Sequence, residues 1–229
     1  MRVVLIAHTV FTDAAALNSD WADSLDREND TDADLLAEGS GRSCYQSWAK
    51  PNPVTATNAG YLNNIIARRH FSVLEHASLT FYISGVSRSF THELVRHRHL
   101  SFSQLSQRYV DEGEAEIILP PNTSPREEAI LRRARKDALA AYHDLLTSRM
   151  ERGFKRKEAR QSARAALPNA TETRIVVTGN IRSWREVIEK RHTPDADAEF
   201  YLVAGEILQV LREKAPNSVA DIKEETHVL

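Results

Sequence analysis

The chain has 229 residues, 41% of them hydrophobic, enough for one large domain with a core of its own. Its 30 basic and 32 acidic residues leave a net charge of −2, which excludes a chain-wide basic field for nucleic acid and confines any anion site to a local patch. The one cysteine, Cys44, excludes an internal disulfide, a CxxC redox pair and a cysteine-rich zinc site, and suits a reducing compartment; with no signal peptide and no long apolar run, a cytoplasmic location is expected.

Val3 to Ala7 is a short apolar run that reads as a buried strand. Residues 18–34 are acidic and polar and read as a surface loop. After Gly41 to Trp48, the triplet Pro51-Asn52-Pro53 breaks any helix. Asn58 to Arg69 has helical spacing. Leu79, Phe81 and Ile83 then alternate with Thr80, Tyr82 and Ser84, a period-two strand closed by Gly85. Ser87 is placed to cap a helix that runs to about His97, with Phe90 and Leu94 on one face.

Residues 99–114 are polar and irregular, and Glu116 to Leu119 is a candidate strand ended by Pro120-Pro121. Ser124-Pro125-Arg126-Glu127 is a capping box with proline at the first helical position. Leu131, Ala134, Ala138, Ala141 and Leu145 continue that helix until Gly153, and another covers about Lys155 to Ala166. Arg174 to Thr178 reads as a strand and Ile181 to Arg191 as a helix. Thr193-Pro194 opens a last helix, with Phe200, Val203, Ile207 and Leu211 facing inward, that stops near Pro216. Strands and helices mix without regular alternation. The expected class is therefore α+β, in a single domain over residues 1–229 with 216–229 as a tail.

Several common chemistries find no support. There is no GxGxxG or Walker A pattern. His92-Glu93-Leu94-Val95-Arg96-His97 resembles a zinc-protease helix, but HExxH needs histidine at 96, where arginine stands, so no metal is expected. Residues 87–109 stand out, because Arg88, Arg96, Arg98 and Arg108 against Glu93 give a local charge of +3. The arginines run into a loop bearing Ser101, Ser103, Gln104, Ser106 and Gln107. Guanidinium forks grip phosphate oxygens in two places, and the loop offers short donors at several angles. Glu93, three residues before Arg96, adds an acceptor for ring N–H groups. The combination suits a nucleotide. A second basic row, Arg152, Arg156, Arg160 and Arg164, repeats every four residues. Two other uses of these residues stay open at this stage: an arginine-rich reading helix for nucleic acid, and a nucleotide hydrolase with Ser106 or Cys44 as nucleophile.

Arg96-His97-Arg98, seven residues and then Ser106 resembles the RHRx₇S signature of the flavin-dependent thymidylate synthases, the ThyX family. The likeness extends through Ser103-Gln104-Leu105-Ser106-Gln107-Arg108-Tyr109. It takes in His70-Phe71-Ser72-Val73-Leu74-Glu75-His76 upstream, and Arg164 to Asn169 and Asn180-Ile181-Arg182 through Arg191 downstream, spanning residues 38–215. The resemblance implies a ThyX-like fold, with helices around a central, mostly antiparallel sheet, and a homotetramer whose active sites combine residues of several subunits. It implies reductive methylation of dUMP to dTMP, with FAD and NADPH as cofactors and 5,10-methylenetetrahydrofolate as one-carbon donor. By the same resemblance Ser72, Arg96, His97, Arg98, Asn180 and Arg182, with His70 close by, would bind FAD. Glu93, Arg96, Gln104, Ser106, Arg108, Arg164 and Arg191 would surround dUMP. Arg191 and Ser106 would be the catalytic positions, although for Ser106 a loop-stabilising hydrogen bond is the competing role. Two positions depart from the family pattern: Glu186, where asparagine or histidine is common, and Asp195, where histidine is common. Both are left out of the expected site.

Overall fold

The computed structural model describes residues 1–12, 19–50 and 52–223. Strands β1 (Arg2–His8), β2 (Ser78–Ser87), β3 (Ser101–Gln104) and β4 (Glu172–Asn180) form one antiparallel sheet in the order β1-β2-β4-β3. The class is α+β, as expected. Leu79, Phe81 and Ile83 on β2 and Ile175 and Val177 on β4 turn to the same buried face, each at most 1% exposed. Period-two alternation on the central strands is thus a true record of burial.

Helices cover that face: α2 (Asp32–Tyr45), α3 (Asn58–Ala67), α4 (Arg88–Leu94), α7 (Ile181–Arg191) and α8 (Ala198–Lys214). One hydrophobic cluster joins Ala33 of α2, Leu62 of α3, Phe90 of α4, Trp184 of α7 and Leu211 of α8 to the sheet. Trp184 matters most for placing α7. It is fully buried, donates from Nε1 to the Leu79 carbonyl at 3.2 Å, and meets Phe81 edge to face at 5.1 Å between ring centroids. Such an aromatic contact contributes about 0.5–1.5 kcal/mol beyond its area. The long α5 (Pro125–Glu151) and the shorter α6 (Arg156–Ala163) pack on each other, and a short α1 (Ser19–Ser24) precedes α2.

Several expectations need correction. β1 is an edge strand, half-buried at best, with Ile6 53% exposed; an apolar run there marks pairing to β2, not a buried centre. β2 does not close at Gly85 but passes it, because the left-handed φ of 65° lets the strand bulge between Ser84 and Val86. Residues 99–114 contain β3, and Glu116 to Leu119 contributes only the isolated bridge of Ile117 to Thr171. Ser87 caps α4 through Phe90 N, as expected, yet that helix stops at Leu94. Asp197, not Thr193-Pro194, caps α8. Ser124 and Glu127 form the expected capping box, but along α5 only Tyr142 is buried, so its apolar row lies on the surface of this chain. Arg152 caps the end of α5 and Arg164 begins a 3-10 turn, so the arginine row is not one helical stripe.

The acidic segment is the largest surprise. Residue 18 and its neighbours 13–17, with Pro51 and residues 224–229, lie outside the described residues. The rest of 18–34 holds α1 and the first turn of α2, where Asp34 is fully buried. Its carboxylate accepts from Asn217 N at 2.8 Å and Ser218 N at 3.0 Å, which anchors what was expected to be a tail. Two more buried charges follow on α2: Glu38 accepts from Arg42 Nε at 2.6 Å, and the Arg42 guanidinium lies 4.4 Å from the Tyr61 ring centre. Gly39 and Gly41 let the helix come close to its neighbours, for a Cβ would stand 2.2 Å from Trp21 and from Tyr61 Oη respectively.

Candidate active site

The loop after α4 carries Arg96, His97 and Arg98. Leu100, the next buried residue, pins it to β4: at Gly179 a Cβ would lie 2.3 Å from Leu100 Cδ2. A larger residue there would displace the Leu100 side chain. The loop is thereby held beside the start of α7, whose first residues follow directly from β4.

α7 spans the site from end to end. Asn180 caps it, its Oδ1 accepting from Ser183 N and Oγ at 2.8 Å each. Arg182 is exposed and ion-paired with Glu75. At the far end, Arg191 Nη1 donates to Glu93 Oε2 at 2.5 Å and Nε donates to His97 Nε2 at 3.3 Å. Its guanidinium carbon lies 5.0 Å from the Phe200 ring centre, and His97 meets the same ring edge to face at 5.9 Å. Burial, and next the Arg191 charge, hold the His97 pKa below its ordinary value, so the neutral ring accepts the guanidinium hydrogen.

Three of the clefts along this helix adjoin one another. One of about 400 Å³ is lined by Ser40, Cys44, His70, Ser72 and Arg182, among others. A second, of about 360 Å³, lies between Glu75, His99, Asn180, Arg182 and Glu186. A third, of about 340 Å³, is bounded by Arg96, His97, Arg98, Glu186, Lys190 and Arg191. Shared walls, Arg182 between the first two and His99 with Glu186 between the last two, join them into one groove. It is mostly cationic and of a size to take a large polyanionic ligand.

All the residues expected to contact flavin therefore line one groove, and so do Arg96 and Arg191 of the nucleotide set, with Glu93 bonded to Arg191. The remainder of that set does not. Gln104 donates to Thr91 Oγ1 at 2.9 Å, and Ser106 Oγ accepts from Arg108 N at 3.4 Å. Arg108 lines none of the three clefts. Arg88 Nη1, Gln107 Nε2, Arg108 Nε, Glu112 Oε1 and Arg160 Nε are buried without a hydrogen-bond partner. Arg164 is close enough to Arg88 to depress its pKa, after burial and against the opposing pull of Glu112. Each buried polar atom left unpaired costs about 1–3 kcal/mol, so these atoms favour a polar partner. Arg88 opens α4 and Arg96 follows its end, so α4, about 10 Å long, lies between the Arg88–Arg164 neighbourhood and the groove.

Sequence reading missed several groove residues. His99 and Lys190 adjoin residues already singled out, and Cys44 is exposed on the cleft wall. Glu186 departs from the family pattern and lies outside the expected site. It lines two clefts, and Lys190 one turn on pairs with it at 2.5 Å, chiefly lowering its pKa and offsetting its charge. Asp195 is exposed and lines none of the three clefts. Among the described residues no cluster of His, Cys, Asp and Glu could hold a metal, and no helix is long and apolar enough to cross a membrane.

Residues 27–217 match the family described as thymidylate synthase complementing protein. The chain belongs to that family. It is 51% identical to the flavin-dependent thymidylate synthase of Mycobacterium avium (strain 104), over 97% of this chain and 90% of the relative. The same identity and coverage hold for the enzymes so named from Mycobacterium marinum (strain ATCC BAA-535 / M) and Mycobacterium tuberculosis (strain ATCC 25618 / H37Rv).

Proposed function

We propose that this protein is a cytoplasmic flavin-dependent thymidylate synthase. It would convert dUMP to dTMP with 5,10-methylenetetrahydrofolate as one-carbon donor and NADPH as reductant of FAD. The observation that carries this reading is the junction of Arg191, Glu93 and His97 inside a cationic groove. It stands beside family membership and relatives that bear the enzyme's name over nearly their whole length.

The groove fits FAD chemically. Arg96, Arg98 and Arg182 would meet the diphosphate, while Ser72, His70, His97 and Asn180 offer polar contacts along the remainder. Bound flavin would supply the hydride that reduces the transferred carbon to a methyl group. The chain's own contribution is binding, orientation and electrostatics. Arg191 stays charged at any working pH, so it would hold the uracil edge and favour negative charge on the ring as N3 loses its proton. Glu93 keeps the guanidinium oriented and His97 braces it from the other side. Arg108 and Arg164, with Gln104 and Ser106, would hold the nucleotide, the phosphate falling to the arginines.

Within one chain Arg96 and Arg191 of the dUMP set line the groove and Gln104, Ser106, Arg108 and Arg164 do not. A site assembled from two chains would bring both groups to one dUMP. α5 also leaves Ile130 and Leu145 at 47% and 40% exposed, an apolar row without cover in one chain. Both observations support a homotetramer with active sites shared between subunits. A continuous core drawing on residues from Ala33 to Val219 supports a single domain over 1–229. The absorption spectrum of purified protein tests the reading first: a flavin band is expected, bleached by NADPH and restored by dUMP with methylenetetrahydrofolate. Protein that takes up no FAD on reconstitution would end it.

A further inference from the structure

Arg185 lies one turn beyond Arg182 on α7, yet where Arg182 is exposed Arg185 is only 3% exposed. A buried cation is costly unless it is paired and hydrogen-bonded. Arg185 is both. Its Nη1 donates to the Ser218 carbonyl at 2.7 Å and to Asp221 Oδ1 at 2.6 Å, and its Nη2 donates to Asp221 Oδ2 at 2.8 Å and Glu189 Oε1 at 3.2 Å. The pairing with Asp221 is bidentate, the geometry in which a guanidinium loses most freedom.

The same guanidinium lies 5.4 Å from the ring centre of Phe71. Phe71 stands between His70 and Ser72 on the wall of the first cleft and starts the 3-10 turn Phe71–Glu75. One side chain thus touches α7, that turn, and the segment that follows α8. The segment is itself fastened to α2, through the bonds that Asn217 and Ser218 make to Asp34. α2 in turn supplies Ser40 and Cys44 to the lining of the same cleft. The contacts close a ring around the cleft: α2, residues 217–221, Arg185 with α7, and the Phe71 turn.

From this ring we infer that Arg185 and Asp221 form a positioning lock, by which the segment after α8 sets the spacing of the cleft walls and so the affinity for flavin. Neither residue lines any of the three clefts. The inference rests on the reading of the groove as a flavin site, and its test separates the two.

Full-length Asp221→Asn keeps the size of the side chain but removes the charge, at a position 41% exposed, so it is expected to fold. FAD titration by flavin fluorescence should show binding about five- to thirtyfold weaker, within the range over which one site couples to another. Asp221→Glu should recover part of the loss. Hydrogen exchange should quicken in residues 70–76 and the first turn of α7, not only in 216–223. Ser124→Ala, which loosens the distant start of α5, should lower the melting temperature without changing FAD affinity, so a general loss of stability is distinguished. Unchanged FAD affinity in Asp221→Asn, with faster exchange confined to 216–223, would reduce the pair to a local fastening and overturn the lock. If the wild-type chain binds no FAD the functional reading fails on its own, and the exchange pattern still decides whether the walls are coupled.

Discussion

Arg191 Nε donates to His97 Nε2 at 3.3 Å, joining the end of α7 to the loop after α4 across 94 positions of sequence. The acceptor nitrogen must be unprotonated, so the ring is neutral with its proton on Nδ1. Together with the Glu93 carboxylate and the Phe200 ring, the contact leaves Arg191 little freedom before any ligand arrives. A preorganised donor of this kind stabilises developing charge without reorganising during the reaction.

Arg191→Ala should therefore fold and bind FAD while dUMP-dependent turnover falls. Removing a donor aimed at developing charge costs about 3 kcal/mol, or roughly a hundredfold in rate. Arg191→Lys should recover only part, since a point charge does not reproduce a planar fork. Rapid mixing of reduced enzyme with dUMP and methylenetetrahydrofolate measures flavin oxidation directly. An unchanged oxidation rate in Arg191→Ala would leave that arginine a structural role alone.

The depressed pKa of His97 predicts a pH dependence of stability with a definite sign. The unfolded chain binds this proton more tightly than the fold does, so stability rises with pH between the two pKa values. The contribution is complete above the ordinary value of about 6.5 and is lost as the pH falls through the lowered folded value. Melting temperatures should accordingly fall more steeply on acidification for wild type than for His97→Gln. Parallel profiles would show that His97 does not titrate differently in the fold.

Asp30 should act in the opposite sense. Burial, with Glu38 next, raises its pKa to about 6, so the fold holds this proton more tightly than the unfolded chain. Its cost to stability is full above about 6 and is relieved as the pH falls toward 3.8. Asp30→Asn should be more stable than wild type at neutral pH, and the difference should vanish in acid. Chemical denaturation at both ends of that range provides the comparison; a constant difference would contradict the assignment.

For Ser124→Ala, loss of the capping box at the start of α5 should cost about 1 kcal/mol. In a chain of this size that lowers the melting temperature by about 2–4 °C. No change in melting temperature would mean that α5 is held by its packing on α6 or by other chains rather than by its cap.

Cys44→Ala should retain substantial dTMP formation, because no mechanism proposed here needs a thiol. The exposed side chain lines the cleft with Ser72 and Arg182, so native protein should be alkylated there and bound FAD should slow the reaction. A variant that folds and binds both ligands yet forms no dTMP would restore a thiol mechanism.

Local signals reported local structure well. Asn180 and the apolar spacing of Ile181, Trp184, Val187 and Ile188 mark α7 at both ends, and the Ser124–Glu127 pair marks the start of α5. The inward face of α8 was equally plain, with Phe200, Val203, Ile207 and Leu211 all fully buried. Short or unusual elements were not. β3 offers a single apolar residue, Phe102, between polar ones, and its strand geometry comes from pairing with β4. Residues 18–34 read as loop because they are acidic and polar, yet they hold α1 and the first turn of α2, whose later glycines Gly39 and Gly41 admit Trp21 and Tyr61.

By itself the sequence determined which residue types were present for anion and nucleotide chemistry, since a motif such as Arg96-His97-Arg98 is read without coordinates. Only the tertiary structure decided which of them meet. Leu100 packed against Gly179 and Trp184 packed against Phe81 bring the loop after α4 and the whole of α7 to one groove. The fold leaves Ser106, Arg108 and Arg164 outside that groove, and buries Arg185 where it bonds Asp221. The reason is physical: a cap or an amphipathic period is set by neighbours three or four residues away. A pocket depends on contacts between distant segments, whose distances follow only once the core has closed.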